Sequence, residues 1–487
     1  MTKHVLSLLS GPCVFLLVYF LPIGGLPRSG HIVLATFLWA ITWWMTQPVP
    51  WGITALLPMV LFPALGVMNV TATTALYGQT IFIWVLGLSL FGYAMEKHGL
   101  AKRFAIGMLN LPGVSGTTNR LLFIYMVTTG IVSLFVSTAA VVAMMMPIGL
   151  SLLSYVRTIS GQSGARGRSN FATFIALGTL YGSVSGGVAT IIGHAPGVVA
   201  VSLLERLTGE TMGFFRWMKL GVPLAIVLLV TYYFILRFFF PPELKEIAGG
   251  REFLRQEAAK LGKMSRGEKN VVAAFVVMVV LFIIPSIAPF VVDAQDPLIP
   301  WLRQALSIWT VPPVVLLMLF ALPHDTRKAE FESTLTWKDV VDRAPWNAIM
   351  LCTGAVAMTE ALSEFGFVEF MQSAIPGIGL TPTSLPFVAA FSCATITEIA
   401  SGVATTGLLG NIFIPAAAEI GFNPASIAML LSNVAIGVAF PWSGAPTAMA
   451  FSSGEISMKD MMKAGLLADA VLALTAAVTH LLFGQYL

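Results

Sequence analysis

The sequence predicts an all-α polytopic membrane protein, with about eleven transmembrane helices and two re-entrant hairpins folded as two repeats of inverted topology. Three observations lead there. Of 487 residues, 57% are apolar and only 10% charged, a composition outside the range of soluble globular domains. Two apolar segments, Ser133 to Pro147 and Thr397 to Pro415, are each interrupted by small hydroxyl residues and reach a proline. A bilayer core of roughly 30 Å needs about 20 apolar helical residues. The arms are shorter than that, so each segment should dip into the membrane and turn back. Finally, the second half of the chain repeats features of the first in the same order.

Taken in order, spans are expected at 5–22, 31–47, 51–67 and 79–96. Glu96 to Leu111 then alternates charged and apolar faces, as in a helix lying along the membrane surface. The first hairpin covers 119–156, with Arg120 at its mouth, and a basic loop with Arg157, Arg166 and Arg168 follows. The region 170–204 carries Gly182, Gly186, Gly187, Gly193 and Pro196, enough helix breakers to interrupt it at membrane depth. Another span is expected at 220–239. Residues 241–270, with seven lysines and arginines, read as a cytoplasmic linker between a first unit (31–240, preceded by a scaffold span in 1–30) and a second (271–487). The second unit has spans at 271–291, 306–322 and 346–362, a short segment from Ser363 to Ile375, a hairpin at 384–418, a broken helix at 425–453 and a last span at 464–485.

The duplication is explicit in particular residues. Gly87 falls opposite Gly354, Ser137 opposite Ser401, Gly193-His194-Ala195-Pro196-Gly197 opposite Ser443-Gly444-Ala445-Pro446-Thr447, and Trp217 to Gly221 opposite Met461 to Gly465. With a cytoplasmic N-terminus and an external C-terminus in a bacterial inner membrane, the 157–168 loop, the linker, the Arg327-Lys328 loop and the turn with Lys459 and Lys463 all fall inside. Arg28, Arg206, Arg216, Lys219 and Arg303 do not. Five crossings per unit then place the units antiparallel, one hairpin entering from each side. The N-terminus also permits a secretory-signal reading, but equally apolar spans follow at once. Cys13, Cys352 and Cys393 lack metal or redox spacing, and a net charge of +4 carries no nucleic-acid signal.

Two broken, polar-tipped segments at corresponding places in two halves point to a transporter's binding site. Interrupted helices at the midplane supply amide N–H groups to anions and carbonyls to cations. Here they would do so without any lysine or arginine at either tip. A channel would need rings of carbonyls or charges around a pore. An enzyme would need a catalytic or metal constellation, and the histidines are dispersed.

These motifs resemble the divalent anion/sodium symporter family, whose hairpin tips read Ser-Asn-Thr and whose breaks read close to Gly-Thr/Ser-Pro-Pro-Asn. The likeness extends from roughly the second span to the last. Here Thr138-Ala139 and Gly402-Val403 stand for Asn-Thr, while His194-Ala195-Pro196-Gly197 and Gly444-Ala445-Pro446-Thr447 stand in the breaks. The resemblance implies a homodimeric secondary transporter of di- or tricarboxylate-like anions working by an elevator motion, with Na+ as coupling ion and no organic cofactor. Carried over by position, it puts substrate against Ser137, Thr138, Ala139, His194, Ala195, Ser401, Gly402, Val403, Gly444 and Ala445. One sodium would use Ser133, Ser137, Thr138 and the Gly193 carbonyl, and a second Thr397, Ala400, Gly402 and Ser443. Proton coupling through His194 and sodium-independent exchange are the alternatives. His194 either bonds the anion or titrates, or it caps and packs; Glu398 ties its hairpin to neighbouring backbone or takes part in coupling; Asp469 is a hydrogen-bond partner or faces a cavity.

Overall fold

A computed structural model describes residues 2–487 except 79, 112–113, 115–116, 160–168, 247–248, 294–295, 325–331, 368, 371–372 and 374–378. Arg166, Arg168, the Arg327-Lys328 loop and the end of the short segment at Ile375 lie outside the described residues. The first helices are α1 (Thr2–Phe20) and α2 (Arg28–Thr46), which pair along their length, Trp43 Nε1 donating to the Leu8 carbonyl at 3.1 Å. The span expected at 51–67 is instead two short helices, α3 (Trp51–Thr54) and α4 (Leu57–Ala64). Pro58 occupies an early position of α4, where a missing N–H costs nothing, so a helix can start there but not run through. The bend exposes the Ala55 carbonyl, which accepts from the Tyr77 hydroxyl at 2.5 Å. α5 (Val70–Ala75), capped by Asn69, leads into α6 (Thr80–Lys97).

Gly99, in the left-handed region at φ 76°, then turns the chain into α7 (Leu100–Leu109). Its Ala101, Ala105, Ile106 and Leu109 are buried, while Arg103 reaches Glu268 at 2.5 Å. Next come α8 (Thr118–Ser133), α9 (Thr138–Ile159), α10 (Asn170–Gly187), α11 (Ala195–Thr208) and α12 (Phe214–Phe239). The stretch 241–270 is partly helical: α13 (Gly250–Lys260) packs on α7, and α14 (Arg266–Val291) starts inside it behind a Ser265/Glu268 capping box. The span expected at 306–322 begins later, because Pro312 and Pro313 open α16 (Val311–Ala321) after the separate α15 (Leu298–Ala305). α17 (Trp337–Arg343), α18 (Trp346–Glu364), α19 (Leu385–Thr397), α20 (Gly402–Glu419), α21 (Pro424–Val434), α22 (Ala445–Ser452) and α23 (Met458–Phe483) complete the chain. Among the described residues, five helices are long and apolar enough to cross a membrane by length and composition: Val70–Lys97, Thr138–Thr158, Phe214–Phe239, Arg266–Pro285 and Met458–Tyr486. The other expected crossings coincide with shorter, broken or more polar helices.

The residues matched between the halves make matched contacts. Gly221 on α12 lies where a Cβ would be 2.5 Å from the Ala189 carbonyl, and Gly465 on α23 where it would be 2.3 Å from the Ala439 Cα. Ala189 and Ala439 are themselves equivalent positions, each next to a helix break. Other contacts are exchanged between the halves. Gly87 abuts Pro312 and Gly354 abuts Ala55, while α9 packs on α22 and α11 on α20. Because backbone stands where a methyl would go, Gly221→Ala and Gly465→Ala should each cost about 1–3 kcal/mol by overpacking. Gly24→Ala, with open space around it, should be silent. Thermal unfolding midpoints in detergent would show two lowered values and one unchanged.

Candidate functional site: two hairpin tips on two helix breaks

Four residues, Leu134 to Ser137, join α8 to α9 and form the first tip. The Thr190 hydroxyl donates to the Leu134 carbonyl at 2.5 Å, and Thr138 donates to the Gly193 carbonyl through both its N–H (3.1 Å) and its hydroxyl (3.0 Å). The tip is therefore tied to the break between α10 and α11. Within that break the chain folds tightly enough that a Cβ on Gly193 would sit 2.3 Å from the Gly187 carbonyl.

His194 fills the same turn and is buried. Its Nδ1 lies 2.9 Å from the Gly187 carbonyl, and its Nε2 lies 2.9 Å from the Ser432 hydroxyl and 3.0 Å from the Ser432 carbonyl. A carbonyl only accepts, whereas the Ser432 hydroxyl can donate, so a neutral ring protonated at Nδ1 donates to Gly187, accepts from the Ser432 hydroxyl at Nε2 and makes no bond to the Ser432 carbonyl. Both nitrogens are thus spent on protein, joining the end of α10 to α21. In this arrangement the ring braces the break, as in the packing alternative.

The second tip, Glu398 to Ser401, joins α19 to α20, and the Ser401 hydroxyl caps α20 by accepting from the Ala404 N–H at 3.3 Å. Glu398 is buried and turned onto the second break. Its Oε1 accepts from the Ala439 N–H at 3.2 Å and its Oε2 from the Ser443 hydroxyl at 2.5 Å. Asp469 on α23 accepts from the adjacent Val438 N–H at 3.2 Å. Two carboxyl groups therefore hold the extended stretch 435–444. Gly402 opens α20 where a Cβ would lie 2.0 Å from the Ala435 carbonyl and 3.1 Å from the Pro196 side chain. The second tip thus meets both breaks, and α9, α11, α20 and α22 all begin at a tip or a break.

The expected substrate residues divide into two sets. Ser137, Ala139, Ala195, Ser401, Gly402 and Gly444 are half-buried and Ala445 is exposed, whereas Thr138, His194 and Val403 are buried. Among the expected sodium ligands, Ser133 is fully buried with no partner for its hydroxyl, and Thr397 donates to the Cys393 carbonyl at 2.7 Å. Ala400 and Ser443 are buried in the second tip and break. The Gly193 carbonyl already accepts two hydrogen bonds from Thr138. Sequence reasoning missed Ser432, Thr190 and Asn433, the last wholly buried with neither amide atom partnered. The signal was there: Ser432-Asn433 is a polar pair ending an apolar run just before a break.

Hairpin tips seated on broken helices, with so many helix starts gathered among them, define a membrane transporter whose site is built from discontinuous helices. The chain belongs to the family described as the sodium:sulfate symporter transmembrane region, which matches residues 2–487, and it is an integral multi-pass membrane protein. The sodium-dependent dicarboxylate transporter SdcS of Staphylococcus saprophyticus is 30% identical over 470 residues, covering 95% of this chain and 88% of that protein. SdcS of Staphylococcus aureus strain MRSA252 is 29% identical over 480 residues, covering 97% and 90%. Two solved structures share the fold: Neisseria gonorrhoeae MtrF (TM-score 0.56, 14% identity, 96% of this chain and 97% of that one) and the Alcanivorax borkumensis YdaH transporter (0.54, 11%, 94% and 99%).

Replacing His194 by alanine strands the buried Gly187 carbonyl and Ser432 hydroxyl, which should cost about 1–3 kcal/mol for each group left unpaired. A double-mutant cycle of His194→Ala with Ser432→Ala, read by thermal or denaturant unfolding, should give a coupling of about 0.5–3 kcal/mol. Strict additivity would show that the contact contributes nothing.

Proposed function

We propose that the protein is a sodium-coupled secondary transporter of a small dicarboxylate, working as a homodimer by an elevator motion. The observation that carries the reading is the gathering of four helix starts at Thr138, Ala195, Gly402 and Ala445 around the two tips. Each helix N-terminus favours an anion by about 0.3–2 kcal/mol. Four together give a carboxylate-bearing cargo a binding site without a buried cation. Among the expected substrate residues, the half-buried ones are those an entering substrate can reach: Ser137, Ala139, Ala195, Ser401, Gly402 and Gly444, with Ala445 at the rim. The full-length likeness to relatives named as sodium-dependent dicarboxylate transporters supports both the cargo and the ion.

For the sodium that travels with it, the buried Ser133 oxygen without a partner is the best-prepared ligand near the first tip, beside the Thr138 hydroxyl. Near the second, Asn433 and Thr406 present buried oxygens also lacking partners, alongside Thr397, Ala400, Gly402 and Ser443. Hard oxygen donors of this kind suit a hard cation. Loading a cation beside the anion lowers the net charge that the moving part must carry past the lipid. We read the hairpins, α10 to α12 and α21 to α23 as that moving part, and the remaining helices as the scaffold and dimer contact. The face carrying the Arg103–Glu268 and Lys97–Asp339 contacts is read as cytoplasmic, together with the N-terminus, by the positive-inside rule.

Uptake of radiolabelled succinate into proteoliposomes tests the reading. It should require an inward sodium gradient. Ser133→Ala should raise the half-saturating sodium concentration about tenfold, the equivalent of about 1.4 kcal/mol for one lost oxygen ligand. Uptake of equal rate with potassium replacing sodium would overturn the coupling, and no uptake or counterflow of any dicarboxylate would overturn the cargo.

A further inference from the structure

Both breaks contain the same tight turn, and only the second turns an aromatic ring outward. In the first, the Gly193 N–H donates to the Thr190 carbonyl at 3.4 Å around Ile191 and Ile192; in the second, the Ser443 N–H donates to the Phe440 carbonyl at 3.2 Å around Pro441 and Trp442. Proline suits the second position of such a turn, because its φ is already fixed there. By the offset that aligns Ala189 with Ala439, Trp442 stands where the first half has Ile192. Ile192 is 5% exposed, whereas Trp442 is 55% exposed.

The turn that carries Trp442 is gripped at both ends. Glu398 of the second tip accepts from the Ala439 N–H at 3.2 Å and from the Ser443 hydroxyl at 2.5 Å, so the residues between them arch over its carboxyl group. The Thr447 hydroxyl meets the Pro441 carbonyl at 3.3 Å from the other side. Phe440 stacks on Trp442, with ring centroids 4.8 Å apart and planes 14° apart, and more than half of the tryptophan stays uncovered. A ring fixed in this way loses little freedom when something is laid against it.

What covers the ring follows from the backbone that carries it. The stretch 435–444 is not helical, and irregular backbone at membrane depth persists only inside protein or along a water-filled cavity. A side chain exposed from such a stretch meets the cavity, whereas a tryptophan resting in lipid settles near the headgroups. Trp442 lies two residues before Gly444, the cap of α22, and three before Ala445 at the rim of the cargo site. Apart from the Ser137 and Ser401 hydroxyls, the side chains reachable there, on Ala139, Ala195, Gly402, Gly444 and Ala445, bring a methyl at most. The indole is the largest surface that a cargo can meet.

We propose that Trp442 sets cargo specificity, and that the dicarboxylate carried bears an aromatic ring that stacks on the indole. The inference rests on the transport reading and names the class of cargo within it. The carboxylates go to the helix starts, while the ring lies against the part of Trp442 that Phe440 leaves bare. Offset stacking recognises a flat apolar group, so the cargo is selected by its ring and its charge.

Counterflow of radiolabelled succinate in proteoliposomes, with unlabelled succinate or phenylsuccinate as competitor, tests this. In the wild type the half-inhibitory concentration of phenylsuccinate should be lower than that of succinate by about fivefold or more. W442A should erase that preference, and W442F, which keeps a flat ring, should retain most of it. Equal half-inhibitory concentrations in the wild type, or a preference that survives in W442A, overturn the proposal and leave the transport reading intact. Fluorescence of the reconstituted protein gives an answer that needs no transport. The emission that distinguishes wild type from W442F should respond to phenylsuccinate and not to brominated lipid acyl chains. Quenching by the lipid, or no response to phenylsuccinate, overturns the proposal, and this measurement decides it should W442A fail to fold or no dicarboxylate be carried.

Discussion

Backbone that leaves a helix inside a membrane loses its internal partners and finds no water to replace them. The centre of this protein is a set of answers to that constraint. Around the first break, the Gly187, Val188 and Gly193 carbonyls accept from His194, Trp217 and Thr138, and the Leu134 carbonyl of the facing tip accepts from Thr190. Around the second, the Val438 and Ala439 amides donate to Asp469 and Glu398, and the Gly444 amide donates to the Thr447 hydroxyl. The half-helices stay interrupted because each exposed end is met by a side chain from another element.

The two halves solve this with different chemistry. The first break is braced by donors laid on carbonyls, while the second adds carboxyl groups laid on amides to a Thr447 hydroxyl that donates to the Pro441 and Gly444 carbonyls. Matched glycines give both breaks the same close packing, with Gly221 over Ala189 and Gly465 over Ala439. What differs is charge: acidic side chains enter the structure on one side only. A duplicated shape has thus become two chemically distinct surroundings.

Much of this was legible in the chain. Hairpin tips announced themselves by small hydroxyl residues within apolar runs, and breaks by clustered glycine and proline, since both signals are local and steric. The expectation that every arm is too short to cross fails for Thr138–Thr158, which is long and apolar enough. The split of 51–67 was not, because its apolar run is unbroken and Pro58 is tolerated in a first helical turn. Glu398 was placed correctly against neighbouring backbone, since a carboxylate so close to a tip has few other partners. The partner of His194 was not legible, because its contact is with Ser432, 238 residues away, and nothing in its own neighbourhood shows where the ring nitrogens turn. The loss of asparagine from the tips was visible at once, but not that Thr138 turns its hydroxyl inward to the break.

Gly402 carries a consequence for anyone who would rebuild the family's motif here. The Ala435 carbonyl and the Pro196 ring have closed over the place where a side chain would leave that residue. Restoring asparagine at this one position would therefore wedge apart the contact between the second tip and both interrupted helices before it offered any oxygen to an ion. The older motif and the present backbone exclude each other, and a graft would have to bring along the matching residues of both breaks.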